Sequence, residues 1–176
     1  MILRLNEIKS EGEDFEWTET ETSLTDNLKD VLGSNSFVAT AHIMPSGSAY
    51  DVHGAIRSQC DLTCGRCLKS YKMPLDLKFH EILLLSETKN KTMIRGTPED
   101  FEDVGALHIK SLNFDIGEMY REFIILEQPP YPVCSESCQG LCPKCGQDLN
   151  EKKCDCLGAG LAKDTVFSVL KNVKLN

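Results

Sequence analysis

Four close pairs of cysteine constrain this chain more than any other feature of its 176 residues. Cys64 and Cys67 have two residues between them, Cys134 and Cys138 three, Cys142 and Cys145 two, and Cys154 and Cys156 one. Two thiolates presented by one tight turn can occupy two corners of a tetrahedron around Zn²⁺ at about 2.3 Å, and a second pair closes the site. The run Cys142-Pro-Lys-Cys145-Gly146 carries the turn chemistry such a knuckle favours, with proline inside the turn and glycine after the second ligand. Residues 131–157 hold few large apolar groups, so something other than a hydrophobic core must order them. A structural zinc, worth roughly 10 to 16 kcal/mol apparent in small peptides, is sufficient.

The rest of the chain reads as an ordinary globular core, with 41% hydrophobic and 26% charged residues, which excludes a chain disordered throughout. From Phe37 to Ser86 the apolar period is two. Phe37 to Met44 reads as a strand and Pro45 to Ser48 as a turn. A second strand alternates Tyr50, Val52, Gly54, Ile56, Ser58, Cys60, Leu62 and Cys64 with polar neighbours, and a third resumes at Tyr71, Met73, Leu75, Leu77 and Phe79. Cys64-Gly-Arg-Cys67 falls at the turn between the second and third strands of this meander. Leu24, Leu28, Val31 and Leu32 predict a short helix stopped at Gly33, and Asp115 with Glu118 predicts a capped helix that Pro129-Pro130 ends. A further helical stripe runs from Ala162 to Val173, and residues 87–106 read as an exposed loop. The expected class is α+β: a β-rich antiparallel sheet with a few helices and a C-terminal zinc-knuckle segment. The expected organisation is a core domain over 1–130, a cysteine-rich zinc-binding segment over 131–157, and a C-terminal helix over 158–176 packing on the core.

Four pairs make eight ligands, and two partitions fit the spacing. In the first, Cys142, Cys145, Cys154 and Cys156 form one ribbon-like site, while Cys134 and Cys138 join Cys64 and Cys67 in a second that staples the C-terminal segment to the sheet. In the other, a single zinc takes its ligands from the six C-terminal cysteines and leaves Cys64 and Cys67 free. One or two structural Zn²⁺ per chain are therefore expected. The ninth cysteine, Cys60, sits on the apolar face of its strand and reads as a small buried hydrophobe.

The formal charge is −8, and it is unevenly spread. Residues 1–36 hold nine acids against three bases, whereas the two cysteine-bearing stretches are nearly neutral. An acidic chain does not attract phosphate backbones at long range, so contact with nucleic acid must be local or arranged through another protein. Arg66, Lys69 and Lys72 around one knuckle, and Lys144, Lys152 and Lys153 around the other, are the candidate partner- or RNA-binding residues; the plainer reading is that they balance thiolate charge. Met1 to Ser10 carries Arg4, Glu7 and Lys9 instead of a basic stub and an apolar run, and no stretch reaches the roughly eighteen apolar residues of a spanning helix. The expectation is a cytoplasmic protein with no membrane contact, in a reducing compartment where cysteines serve metal rather than disulfides.

Catalytic constellations are lacking. Cys64-Gly-Arg-Cys67 invites a thiol-redox reading, but the residues after it alternate with period two and meet Pro74, where a redox motif needs a helix. His42, His53, His80 and His108 are scattered at strand-like positions without a His-Glu-x-x-His motif and read as solvent-facing or core-edge residues. No phosphate loop and no nucleophile elbow occur. Sites closed by four sulfurs leave no open position for water, which removes metal-assisted hydrolysis. No small-molecule substrate is expected.

Thr63-Cys64-Gly-Arg-Cys67-Leu68, then an acidic loop and a helix, then Cys138-Gln-Gly-Leu-Cys142-Pro-Lys-Cys145-Gly146 with Leu149-Asn150 and Cys154-Asp-Cys156, together resemble the YceD family of large ribosomal RNA subunit accumulation proteins. The resemblance covers most of the chain. It implies a non-enzymatic role in accumulation or processing of large-subunit ribosomal RNA, with that RNA or a pre-ribosomal particle as partner; the acid excess favours contact through a protein, and direct RNA binding through Lys144, Lys152 and Lys153 stays open. It carries no catalytic residues. A zinc-ribbon adaptor unrelated to RNA is the alternative, and a thiol-redox protein using Cys64 and Cys67 a more distant one.

Overall fold

A computed structural model of the chain describes residues 1–85 and 106–157. The loop expected over 87–106 and the terminal helix expected over 158–176 fall, apart from Ala106, outside the described residues. The chain divides into two compact units: Met1–Leu62 with Lys72–Pro130, and Thr63–Tyr71 with the chain from Tyr131 onward.

The first unit is built on a five-stranded sheet in the order β2-β3-β4-β5-β6. Its strands are β2 (Glu13–Thr18), β3 (Val38–Ser46), β4 (Ala49–Thr63), β5 (Ser70–Leu85) and β6 (Ala106–Ile109), and a small second sheet pairs β1 (Ile2–Arg4) with β7 (Asn113–Asp115). β3 and β4 form the expected hairpin, closed by only two residues: Ser46 lies opposite Ala49, and Gly47 takes a φ of 64°. A positive φ at this position matches the turn to the twist of the strands. The sheet expected to be antiparallel is so from β2 to β4, and the short 64–69 turn permits only an antiparallel return into β5. β6 departs from it, pairing in parallel with Ile82–Leu85 at the end of β5. Pro74 sits in the part of β5 that has no β6 partner, so its missing N–H leaves no ladder bond unmade on that side.

The alternation read from sequence sorts the two faces. Ala39, Ala41 and Ile43 of β3, Val52, Ile56 and Cys60 of β4, and Leu75 and Leu77 of β5 are buried in one cluster. The same cluster holds Leu24, Leu28 and Leu32 of helix α1 (Thr22–Leu32) and Ile116, Met119, Tyr120 and Ile124 of helix α2 (Ile116–Glu127). Both helices therefore lie on one face of the sheet. α1 stops at Gly33, and α2 starts where the Asp115 carboxylate accepts a bond from the Glu118 N–H at 3.1 Å, as the capping signal predicts. Cys60 is fully buried, and desolvation raises its thiol pKa; it behaves as the small hydrophobe its position suggested.

An aromatic stack fixes α2 over the middle of the sheet. Phe79 stacks on Phe123 with centroids 4.4 Å apart and meets Tyr120 edge-on at 5.2 Å. The Tyr120 hydroxyl donates to the Thr40 carbonyl, which satisfies its one polar atom in a buried setting. Gly54 makes room for this stack, since a Cβ there would stand 2.0 Å from the Phe79 ring. The opposite face of the sheet, with Thr40, His42, Asp51, His53, Arg57, Lys78 and His80, is exposed or half-exposed.

Candidate metal centre

The second unit contains eight cysteines, and the structure gathers them into two groups of four: Cys64, Cys67, Cys134 and Cys138, and Cys142, Cys145, Cys154 and Cys156. Within each group every sulfur lies within 4.8 Å of the others. This is the first of the two partitions that the spacing allowed.

Each group starts from a knuckle with the same backbone wiring. In the first, the Cys64 N–H donates to the Lys69 carbonyl at 2.9 Å, and the Leu68 N–H donates to the Cys64 carbonyl at 2.9 Å. In the second, the Cys142 N–H donates to Gln147 at 2.8 Å, and the Gly146 N–H donates to Cys142 at 2.9 Å. The fifth residue of both turns has positive φ: 60° at Leu68 and 72° at Gly146. This winding turns backbone N–H groups inward, and the Arg66 N–H points at Cys64 Sγ at 3.4 Å.

Partner segments are tied to the first knuckle by backbone bonds. The Gly65 N–H donates to the Pro132 carbonyl at 2.8 Å and the Leu141 N–H to the Arg66 carbonyl at 3.0 Å. The Arg66 guanidinium then donates to the carbonyls of Glu136 and Cys138 at 3.1 and 3.0 Å. Lys69 pairs with Asp148 at 2.9 Å and with Glu151. Hydrogen bonding to Glu151 and then Asp148 raises the pKa of the Lys69 ammonium, and Lys69 in turn lowers that of the Asp148 carboxyl. Asn150 donates one side-chain bond towards Cys138 Sγ at 3.5 Å and its backbone N–H to Asp148 at 2.8 Å. Asn150 thus serves as a support for the sulfur cage that spacing alone did not single out; its signal is the Leu149-Asn150 pair just before the last two cysteines.

The sulfur spacings test what such a cage can hold. Cys64 Sγ lies 3.9 Å from Cys138 Sγ, and Cys67 Sγ lies 3.7 Å from Cys134 Sγ. A disulfide needs about 2.05 Å, and all nine cysteines are free. A tetrahedron with metal–sulfur bonds of about 2.3 Å has edges of about 3.8 Å, so the donor set and its spacing fit a four-coordinate metal ion.

Proton affinities within the cages point the same way. Backbone N–H groups of Cys134 and Cys67 hold the Cys64 thiol down at about 6, while the Cys138 thiol beside Cys134 pushes that thiol up to about 12. In the second cage the backbone N–H groups of Cys145 and Lys144 lower Cys142 to about 6, and Cys142 in turn raises Cys154 to about 11. In each cage one thiol is lowered and another is raised by a neighbouring sulfur. A divalent cation removes that conflict, because it stabilises all four thiolates at once.

The six basic residues singled out from sequence have different roles. Arg66 and Lys69 are engaged inside the second unit, as above, and Lys72 belongs to the first unit, where its ammonium bonds Asn35 Oδ1 at 2.6 Å. Lys144, Lys152 and Lys153 are exposed. No helix among the described residues is long and apolar enough to cross a membrane. His42, His53 and His80, scattered along the sequence, come together on the open face of the sheet.

Residues 52–174 match the model of a protein family described as "Large ribosomal RNA subunit accumulation protein YceD". Among curated proteins, the chain is 24% identical over 170 residues to "Large ribosomal RNA subunit accumulation protein YCED homolog 1, chloroplastic" of Arabidopsis thaliana, in an alignment covering 86% of this chain and 52% of that protein. The chain thus spans about half the length of the curated relative it matches. No solved structure matches. With the family match running through both knuckles and α2, the chain belongs to the YceD family.

Proposed function

We propose that this protein is a non-enzymatic factor that supports accumulation or processing of large-subunit ribosomal RNA, and that its second unit is a recognition element built on two structural Zn²⁺ ions. Cys64, Cys67, Cys134 and Cys138 hold one ion, and Cys142, Cys145, Cys154 and Cys156 hold the other. The observation that carries this reading is the pair of closed four-sulfur cages with sulfur spacings of 3.7 and 3.9 Å in the first, in a chain whose family is named for large-subunit RNA accumulation. Four thiolates saturate zinc, so the ions shape a surface and activate no water. The redox reading of Cys64 and Cys67 loses ground because the turn runs into β5 rather than a helix.

Contact with the ribosomal precursor runs through a protein. The chain carries −8 formal charges, thiolate cages loaded with divalent ions are themselves net anionic, and Arg66 and Lys69 are committed to internal carbonyls and carboxylates. Such a surface gains little from phosphate neutralisation. The test is sedimentation of the tagged full-length chain from lysate at low and high salt, with mass spectrometry of what travels with it. Co-migration with large-subunit precursors that survives high salt is expected. Retention that collapses steeply with salt would indicate direct RNA contact instead, and a partnerless profile at both salts would overturn the proposal.

A further inference from the structure

The open face of the sheet carries a second kind of donor cluster, different in chemistry from the thiolates. Asp51 and His53 stand two residues apart on β4 and so point to the same face, and His80 faces them from the neighbouring strand β5. The two imidazoles stack with centroids 4.1 Å apart and planes 4° from parallel. Both Nε2 atoms turn to one carboxylate oxygen: Asp51 Oδ1 lies 2.6 Å from His80 Nε2 and 3.4 Å from His53 Nε2. The ligand atoms of all three residues fall within 4.8 Å of one another.

We propose that Asp51, His53 and His80 form a third metal site, for a divalent transition ion of the imidazole-preferring kind, with Zn²⁺ as its representative. The proposal does not depend on the thiolate cages. A proton shared with Asp51 can serve the nearer ring, which leaves His53 Nε2 at 3.4 Å, long for a hydrogen bond. A metal ion serves all three donors. Bonds of about 2.0 to 2.2 Å at tetrahedral angles separate neighbouring ligand atoms by about 3.4 Å, which is already the His53–Asp51 spacing. To bind one ion, the His80–Asp51 spacing has to open and the two stacked rings have to turn out of parallel so that both Nε2 lone pairs meet it, a rotation open to side chains that are 55%, 52% and 29% exposed at His53, His80 and Asp51. Two imidazoles and one carboxylate suit zinc, nickel or copper better than magnesium or calcium, which prefer oxygen.

The strands beneath the cluster are packed into the core. Val52 and Ile56 of β4 are fully buried, and Gly54 lies against the ring of Phe79, the residue before His80. His42 stands directly opposite His53 across the β3–β4 ladder and is itself held by Asp14 at 2.8 Å. The cluster borders a shallow groove lined by Asp14, Glu16, Thr40, His42, His53 and Lys78, so an ion can reach it from solvent. Three protein ligands leave at least one coordination position for water or an outside donor.

The test adds Zn²⁺ to the purified full chain whose tightly held zinc has already been counted, and follows heat and histidine ring-proton signals together. The expected result is one further equivalent bound in the micromolar range, with perturbation of the His53 and His80 ring signals and none at His108. His53→Ala and His80→Ala should each weaken that equivalent at least about tenfold, the loss of one of three ligands being felt strongly, while the previously counted zinc stays unchanged. Absence of a further equivalent in the micromolar range overturns the proposal. So does binding unaltered in both variants, or ring perturbation spread equally to His108. The ring signals of the unmodified chain decide the matter even if a variant misfolds, and the zinc counted beforehand reports separately on the thiolate cages.

Discussion

The two knuckles are built from the same backbone turn and differ in what they join. The Cys142 knuckle closes on Cys154 and Cys156, twelve and fourteen positions away, whereas the Cys64 knuckle closes on sulfurs 67 and 74 positions from their partners. Exposure differs as well: Cys64, Cys67 and Cys138 of the first cage are buried, but only Cys142 of the second. A short spacing motif can therefore be read as a knuckle without revealing its task. The second cage is closed within one loop, and the first brings the turn between β4 and β5 together with a segment on the far side of α2 in the chain.

Stripping the metal should test this contrast most severely. Structural zinc contributes about as much free energy as a whole domain possesses. A strong chelator should abolish amide protection in residues 131–157 while strands β2 to β4 keep theirs, since their core contains no cage sulfur. The more exposed second cage should empty first, so zinc release followed with an indicator should show two phases. Loss of protection throughout the sheet at the same rate would erase the distinction between the units.

Single ligand changes sharpen the comparison. Cys67→Ser and Cys154→Ser should each remove one equivalent of bound zinc. Loop-closure entropy makes the distant cage the greater loss, by about 1.5 kcal/mol for spans of 67 against twelve positions. Thermal unfolding of the two variants should rank Cys67→Ser below Cys154→Ser. The reverse ranking would mean that the local cage carries the fold of the unit.

Proton release addresses what the cages share. At neutral pH Cys64 and Cys142, each lowered to about 6, are already thiolates, while Cys134 at about 12 and Cys154 at about 11 still hold their protons. Metal binding must expel at least the latter two protons. Affinity should therefore rise with pH through neutrality and weaken progressively on acidification, most steeply below about pH 6. Calorimetry of zinc binding in two buffers of different ionisation enthalpy measures the protons directly. A heat independent of buffer would show that the thiols are ionised before metal arrives.

Much of this arrangement is legible in the chain because it is written in short-range patterns. The alternation from Tyr50 to Cys64 gives the buried face of β4, and Asp115 with Glu118 gives the start of α2. β2 is harder to read: Glu13, Asp14 and Glu16 mask an alternation carried by Phe15 and Trp17, both only half-buried at a sheet edge. β6 is four residues long with two of them exposed, and it pairs in parallel across a connection that no local motif announces. The meeting of His42 with His53 depends on register. A turn spanning Pro45 to Ser48 places Met44 opposite Ala49, whereas the two-residue turn at Gly47 places Ser46 there and moves His42 opposite His53. A shift in turn length re-pairs every residue along the hairpin, so composition and spacing could not assemble what the ladder does.

The smallest effect is also the cleanest probe of whether the knuckles are equivalent. Leu68 and Gly146 occupy the same position in the two turns with φ of 60° and 72°. For an L-residue this conformation costs about 1 to 2 kcal/mol, and glycine avoids that cost while losing roughly 0.5 to 1 kcal/mol more backbone entropy on folding. The Leu68 side chain is 65% exposed, so little packing opposes its removal. Leu68→Gly should then leave the zinc-loaded protein unchanged or stabilise it by up to about 1 kcal/mol. Gly146→Ala should destabilise it by about 1 kcal/mol, through backbone strain alone, because a Cβ there meets nothing within 4 Å. Gly140→Ala marks the contrast, since φ is 72° there too but the Cβ would stand 2.9 Å from the Arg66 carbonyl oxygen; its cost should exceed that of Gly146→Ala. Chelator midpoints for the three variants give the order. Destabilisation by Leu68→Gly comparable to that by Gly146→Ala would show that the leucine side chain holds something at the first knuckle that the second does without, and the common turn would no longer imply a common energetics.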